Sequence, residues 1–301
     1  MRLSKDKLHN KSDKGKFVVD AVTKYIFQFC AIIAVISLGL IIGFVFYRGL
    51  RPFVTGKYSF ISFITGTEWF PKSNKYGVLP MILASIYGTF GALVIGVPIG
   101  IFSAVFIAEI APKSVAKIMS PAVQLLAGIP SVLFGVFGLA VIVPLIKNTF
   151  NLAKGQSLLA MIIVLSIMML PTIITVAETA IRAVPFSYRE ASLGLGASKI
   201  ETIIKVMLPA AKNGILAAVV LGLGRALGET MAVILVVGNS AVIPMGITDS
   251  VRPLTTNIAL EMSYAFGMHQ DMLFATGIVL FSFIIILNVI LSRITSKAGD
   301  K

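Results

Sequence analysis

The sequence predicts an all-α polytopic membrane protein with six transmembrane helices. Three observations carry that prediction. Hydrophobic residues make up 57% of the 301 positions and charged residues only 13%, whereas soluble domains hold roughly half apolar residues. The apolar residues gather into six runs, near 25–47, 82–108, 118–146, 157–181, 210–238 and 273–292, and a spanning helix needs about 20 such residues. The charges lie between those runs and divide unequally between the two sides.

With a cytoplasmic N-terminus, segments 1–24, 109–117, 182–212 and 293–301 share one side and carry seventeen Lys and Arg. The opposite segments, 48–81, 147–156 and 239–272, carry eight over a greater length, and Arg225 lies inside a span. Lys and Arg are retained on the cytoplasmic side during insertion, so the excess sets orientation. The net charge of +13 therefore records topology and argues against nucleic-acid binding.

Residues 1–24 form a basic tail with Lys5, Lys7, Lys11, Lys14 and Lys16. The run that follows is longer than a signal peptide's apolar region and has no A-x-A-like site after it, so it reads as an uncleaved anchor. Cys30, the single cysteine, lies in this first span and cannot form an intrachain disulfide. The external segment 48–81 holds Tyr58, Phe60, Phe63, Trp69, Phe70 and Tyr76. Such aromatics favour the headgroup level, so this segment is expected at the membrane interface, with contact to a partner as the alternative. Gly88, Gly91, Gly96 and Gly100 in the second span allow close helix approach. The third run is too long for one straight span, and Gly128-Ile129-Pro130-Ser131 predicts a kink or break there, because proline removes a donor and clashes with the preceding turn. A half-helix starting at Ser131 would present unpaired N–H groups, which suit an anion; an ordinary kink is the alternative. Glu178 and Arg182, four apart near the cytoplasmic end of the fourth span, read as structural or subunit-contact residues. The sixth span leads to a short tail, 293–301, with Arg293, Lys297 and Lys301.

Enzyme chemistry has no visible site. No G-x-x-x-x-G-K-[ST] occurs, so the chain carries no P-loop of its own. His9 and His269 are far apart and without metal-ligand spacing, so no metal is expected.

The loop between the fourth and fifth spans carries two S-x-x-E patterns, Ser187 with Glu190 and Ser198 with Glu201. Each fits a capping box, in which the serine oxygen takes a helix N–H and the glutamate reaches back to the cap. Gly194 and Gly196 between them suit a helix end. The expectation is two short helices meeting at an angle, closed by Pro209 as the next span begins. Within that span stands Gly222-Leu223-Gly224-Arg225-Ala226-Leu227-Gly228-Glu229. An intramembrane arginine is costly and should face protein or water. On a continuous helix Glu229 lies on the same face as Arg225 and pairs with it. The pair then either ties helices together or serves an anion on a permeation path.

Two resemblances follow from these residues. Glu190-Ala191-Ser192-x3-Gly196, with Leu208-Pro209 further on, resembles the EAA loop of permease subunits in bacterial ATP-driven importers. G-L-G-R-A-L-G-E-T-M-A-V from Gly222, with G-I-P-S-V-L-F-G from Gly128, is similar to the PstC family of phosphate-importer permeases. The resemblance covers roughly residues 80–292 and implies a type I importer (MetI-like) permease fold. It divides the chain into the tail 1–24, a first helix and external loop 25–81, a permease core 82–292 with the coupling loop at 186–209, and the tail 293–301. It implies that Glu190, Ala191 and Gly196 face a cytoplasmic ATPase dimer (PstB-like), and that Arg225 and Glu229, with Ser131 more weakly, line the substrate pathway. A second permease subunit (PstA-like), an external phosphate-binding protein (PstS-like) and a bacterial inner-membrane location are implied too. No cofactor is implied for this chain, ATP being used by the partner subunit. A permease for another oxyanion, molybdate or sulfate, is the close rival, and an ion-gradient-driven carrier the remoter one.

Overall fold

The computed structural model describes the backbone of residues 3–299 and the side-chain surroundings of residues 20, 22–290 and 293. The tail lysines 5–16, with Lys297 and Lys301, lie outside the described side chains. Helix α1 (Leu3–Val54) opens the chain, and its apolar part, Val22–Val54, presents Phe27, Val35 and Leu40 outward. A short helix α2 (Phe60–Thr65) and a two-stranded hairpin, β1 (Trp69–Phe70) with β2 (Lys75–Tyr76), follow. Helix α3 (Leu79–Val105) ends in a π-helical turn, Phe106–Ile110. Then come α4 (Lys113–Ala127), α5 (Ser131–Phe137), a π-turn, and α6 (Val143–Thr149). Helix α7 (Leu158–Arg182) is the most buried span.

The loop helices are α8 (Phe186–Gly194) and α9 (Lys199–Thr202), the latter running through a π-turn into α10 (Leu208–Ala210). Helix α11 (Lys212–Gly228) leaves this segment at 70°. After a break come α12 (Met231–Val236), α13 (Leu254–Glu261) and α14 (Met268–Gly299). Five helices are long and apolar enough to cross a membrane, and the bent 199–228 pair makes up to six. The all-α polytopic prediction holds. Below, the end carrying residues 183–211 is the loop side, and the end carrying 55–78 and 237–267 is the far side.

Helices α3 and α7 run parallel in close contact because the glycines of α3 leave room for α7 side chains. A Cβ on Gly96 would stand 2.7 Å from Met169 Sδ, and one on Gly100 2.7 Å from Ile173. Without a hydrophobic drive in lipid, this close dispersion packing is what holds such helices together. Three apolar clusters stack along the bundle. Phe63, Trp69, Tyr76, Met81, Leu254 and Met272 fill the far side. Met161, Leu165, Met168, Val233 and Val236 fill the middle, and Ile107, Ile174, Ile181 and Ile203 the loop side.

One expectation, a continuous fifth span, is corrected here, and two others are made more definite. Of the aromatics in segment 48–81, Phe63, Trp69 and Tyr76 are buried in a folded cap, with Trp69 and Tyr76 rings edge-on at 5.5 Å, while Phe60 and Phe70 stay exposed. The Trp69 indole N–H donates to Glu261, and the Tyr76 backbone N–H donates to the Tyr58 hydroxyl, so the cap meets these needs within the chain. The third run is two helices, α4 and the Ser131–Thr149 stretch, separated at Gly128–Pro130. The fifth run is likewise broken, at Glu229–Thr230, where glutamate adopts φ −71° and ψ 128°.

The helices that follow the two breaks pack together. Gly135 packs on Ala232, and Gly138 on Val236, so α5 and α12 run parallel in register. A Cβ on Gly135 would meet the Ala232 backbone at 2.7 Å, whereas one on Gly224 meets nothing within 4 Å. Gly135→Val is therefore expected to lower stability by about 1–3 kcal/mol through overpacking, seen as a reduced Tm of the detergent-solubilised chain, while Gly224→Val leaves that Tm within error.

Candidate functional site

Two regions carry the residues singled out from sequence. On the loop side, α8 begins after Pro185 with no side-chain cap, and Ser187 lies inside the helix. The first expected capping box therefore does not form; the proline, which fixes φ and has no N–H to satisfy, starts the helix instead. The second forms as expected. Glu201 N–H donates to Ser198 Oγ at 3.3 Å, and the Ser198 N–H donates to Glu201 Oε2 at 3.0 Å. Those bonds from Ser198, backbone first, and Lys205 behind them hold the Glu201 carboxyl below the usual carboxylate range.

Between the boxes Gly196 adopts φ +88° with open space where a Cβ would stand. Backbone conformation, not packing within this chain, requires the glycine, since a side chain in the left-handed region costs about 1–2 kcal/mol. The Ser192 and Thr202 hydroxyls meet at 2.9 Å in buried surroundings and join α8 to α9. Glu190, Ala191 and Gly196 are exposed. So are Leu195, at 90% of its surface, Leu193 and Ile200.

The loop is tied to two long helices. Arg189 pairs with Glu109, the acid in the π-turn ending α3, and its guanidinium lies 5.6 Å from the Phe186 ring. Arg182 donates from Nε to Glu178 Oε1 at 2.9 Å and from Nη2 to the Ile107 carbonyl at 3.0 Å. Ser120 of α4 donates to the same Glu178 oxygen at 2.7 Å. Glu178 and Arg182 are thus a knot between α3, α4 and α7, as their spacing led us to expect. Glu109 escaped the sequence reading; a lone acid at the end of an apolar run facing a basic loop was its available signal.

The second region is the break. Arg225 is half-buried on α11, and Nη1 donates to Thr172 Oγ1 of α7 at 3.4 Å. Its helix neighbours Leu221, Gly224 and Gly228 are exposed. Glu229 does not sit on the Arg225 face and no ion pair joins the two, both being among the described residues. The helix stops at Gly228, and the Glu229 carboxylate turns to α12, where Oε1 accepts the Ala232 N–H at 2.9 Å. A carboxylate accepting from a helix's first N–H groups is favoured by their partial positive charge. The Glu229 carbonyl accepts from Thr255 Oγ1 at 3.1 Å. Ser131 opens α5 directly after Pro130 and is half-buried. Thr172 and Thr255 gave no sequence signal, because each acts through a neighbour far away in the chain.

The site thus defined is a pair of interrupted helices in a multi-pass bundle, above a helical loop bearing exposed apolar residues. Residues 96–298 match the family described as binding-protein-dependent transport system inner membrane component, and the chain belongs to that family. Membership makes it a membrane permease component, not itself an enzyme, that works with a second permease, an ATPase and a binding protein. More particularly, it is 40% identical over 288 residues to "Probable ABC transporter permease protein YqgH" of Bacillus subtilis (strain 168), covering 93% of this chain and 91% of that one. It is 34% identical over 266 residues to "Phosphate transport system permease protein PstC" of Pasteurella multocida (strain Pm70), covering 80% and 82%. Among solved structures, a bacterial ABC transporter importing the acidic polysaccharide alginate superposes at TM-score 0.57 and 16% identity, covering 88% of this chain and 95% of that one. The inward-facing MetNI methionine transporter does so at 0.55 and 20%, covering 74% and 94%. The MetI-like permease fold is therefore that of this chain.

The buried hydroxyl pair is open to a direct check. Thr202→Val leaves Ser192 without its partner and is expected to cost about 1–3 kcal/mol. Adding Ser192→Ala should cost less than the sum of the single changes when thermal unfolding is followed in a double-mutant cycle.

Proposed function

We propose that this chain is the phosphate-translocating permease subunit of an ATP-driven importer, in a bacterial inner membrane with its N- and C-termini in the cytoplasm. The observation that carries this reading is Arg225: a guanidinium placed within a span, beside the break, bonded only to a threonine hydroxyl among the described residues. Because Glu229 is engaged in capping α12, it does not neutralise Arg225. Most of the guanidinium's five donors remain for an oxyanion, which it suits by charge and planar geometry. The phosphate choice rests on the relatives named PstC, at 32–35% identity.

In this reading an external PstS-like protein delivers phosphate, and the anion passes Arg225 between this chain and a PstA-like partner. Ser131, at the start of α5, contributes polar surface from the other broken helix. Glu229 holds the break in shape through α12. Glu190, Ala191 and Gly196 on α8 and its following turn face a PstB-like ATPase dimer, and the exposed Leu193, Leu195 and Ile200 supply the apolar contact. ATP is bound by that partner; this chain holds no ATPase site and no cofactor.

In proteoliposomes bearing the assembled transporter, uptake of labelled phosphate should require ATP and be competed by phosphate far better than by sulfate or molybdate. Better competition by either of those anions would reassign the substrate, and ATP-independent uptake would overturn the importer reading. Arg225→Gln should reduce uptake by about 10²-fold or more with assembly intact, the scale on which a preorganised charge acts at a reacting or binding centre. Gly196→Trp, strained at φ +88°, should leave ATP hydrolysis uncoupled from uptake or release the ATPase on purification.

A further inference from the structure

Glu261, buried at the end of α13, collects donors from three separate parts of the chain. The Trp69 indole of the hairpin donates to Oε2 at 2.7 Å, His269 Nε2 of α14 lies 2.8 Å from the same oxygen, and Arg252 Nη1 donates to Oε1 at 2.7 Å. Arg252 also donates from Nε to the Asn239 carbonyl at 2.8 Å, just beyond α12. The Val251 N–H donates to the Val237 carbonyl at 3.0 Å, so the returning segment is fastened to the end of α12 by the arginine and by the residue before it. From Arg252 the chain passes through Pro253 into α13. There the Leu254 N–H donates to Ser85 Oγ at 3.0 Å, and Thr255 Oγ1 donates to the Glu229 carbonyl at 3.1 Å.

That last bond meets a need created by the break. A helix that stops inside a bilayer leaves carbonyls without a following N–H, and no water replaces it in apolar surroundings. Thr255 is buried and supplies the donor to Glu229 from outside the helix. Segment 252–255 is thus clamped at one end by Glu261 and seated at the other on the broken span.

We propose that Glu261 and Thr255 are positioning residues for translocation: Glu261 fixes Arg252, and the two-residue connection beyond it holds Thr255 on the Glu229 carbonyl, so setting the angle between α11 and α12 and the placement of Arg225. The proposal rests on the reading that Arg225 and Glu229 line the pathway. Neither residue is given a contact with substrate. The cap carrying Trp69 is joined to the same carboxylate, so the far-side surface and the break share one mechanical link.

The test uses the full chain in its assembled transporter, with Cys30→Ala and Gly228→Cys to report on the break through the rate of alkylation by a membrane-impermeant maleimide, with no substrate present. Thr255→Val and Glu261→Gln are each expected to change that rate by about fivefold or more, the factor that corresponds to losing one net hydrogen bond, and Thr255→Ser to restore it. In the Gly228 background, the same two variants should lower the maximal rate of ATP-driven phosphate uptake by about tenfold or more, as misplacement of a working group does. The half-saturating concentration of phosphate-loaded binding protein should stay within about twofold, since the change spares uniform binding. Wild-type alkylation and uptake in Thr255→Val would overturn the proposal. So would a Thr255→Ser variant as defective as Thr255→Val, which would make the contact one of packing, or a loss of uptake with alkylation unchanged. If phosphate is not moved even by the unaltered transporter but alkylation shifts as stated, the substrate reading fails and the positioning role stands.

Discussion

Every backbone N–H and C=O inside a bilayer needs a partner from the protein, because water is absent there. An unbroken helix meets this demand automatically; a broken one does not. The architecture of this chain follows from having broken two of its apolar runs and then supplied partners to the groups set loose. Glu229 serves the first N–H groups of α12 with its carboxylate, and Thr255 serves the Glu229 carbonyl. At the end of α12 the Val236 carbonyl accepts the Ser157 N–H, and the Gln156 side chain donates to the Leu235 carbonyl. The returning segment 237–257 supplies Thr255, and residues 156–157 supply the other donors, so parts far apart in the chain meet around α12.

The break also separates two charges that a continuous helix would have placed side by side. An ion pair between them would have cancelled the charge available to an anion and added a desolvation cost of its own. Ending the helix at Gly228 leaves the arginine on an exposed small-residue face of α11 and sends the glutamate into a structural role. In the proposed reading, this leaves a net positive centre for an oxyanion without an unsatisfied carboxylate beside it.

Much of the fold was legible because membrane insertion imposes long apolar runs and a charge bias, both of which survive in a single sequence. The break at Gly128–Ser131 was legible for a local reason, the proline. The break at Glu229 was not, since no proline marks it and the glycines before it are common in packed membrane helices; the spacing of Arg225 and Glu229 then pointed to a pairing that the broken backbone forbids. The second capping box was legible and the first was not, because Pro185 outcompetes Ser187 for the start of α8. The folding of Trp69 and Tyr76 into a cap was not legible for a different reason: aromatic residues favour both headgroups and folded caps, and only the distant Glu261 decides between them. Thr172, Thr255 and Glu109 depend on partners 26 to 80 residues away, and no local pattern records such distances.

On the loop side, the knot formed by Arg182, Glu178, Ser120 and the Ile107 carbonyl lies beside the Arg189–Glu109 pair. Together they make the junction stiff. The loop side is thereby tied to α3, α4 and α7 at once. Beside it lies the 70° elbow where residues 199–210 meet α11. That elbow turns at Ala211, at the root of the very helix that carries the arginine, so the loop side meets α11 through a corner and not along a straight axis.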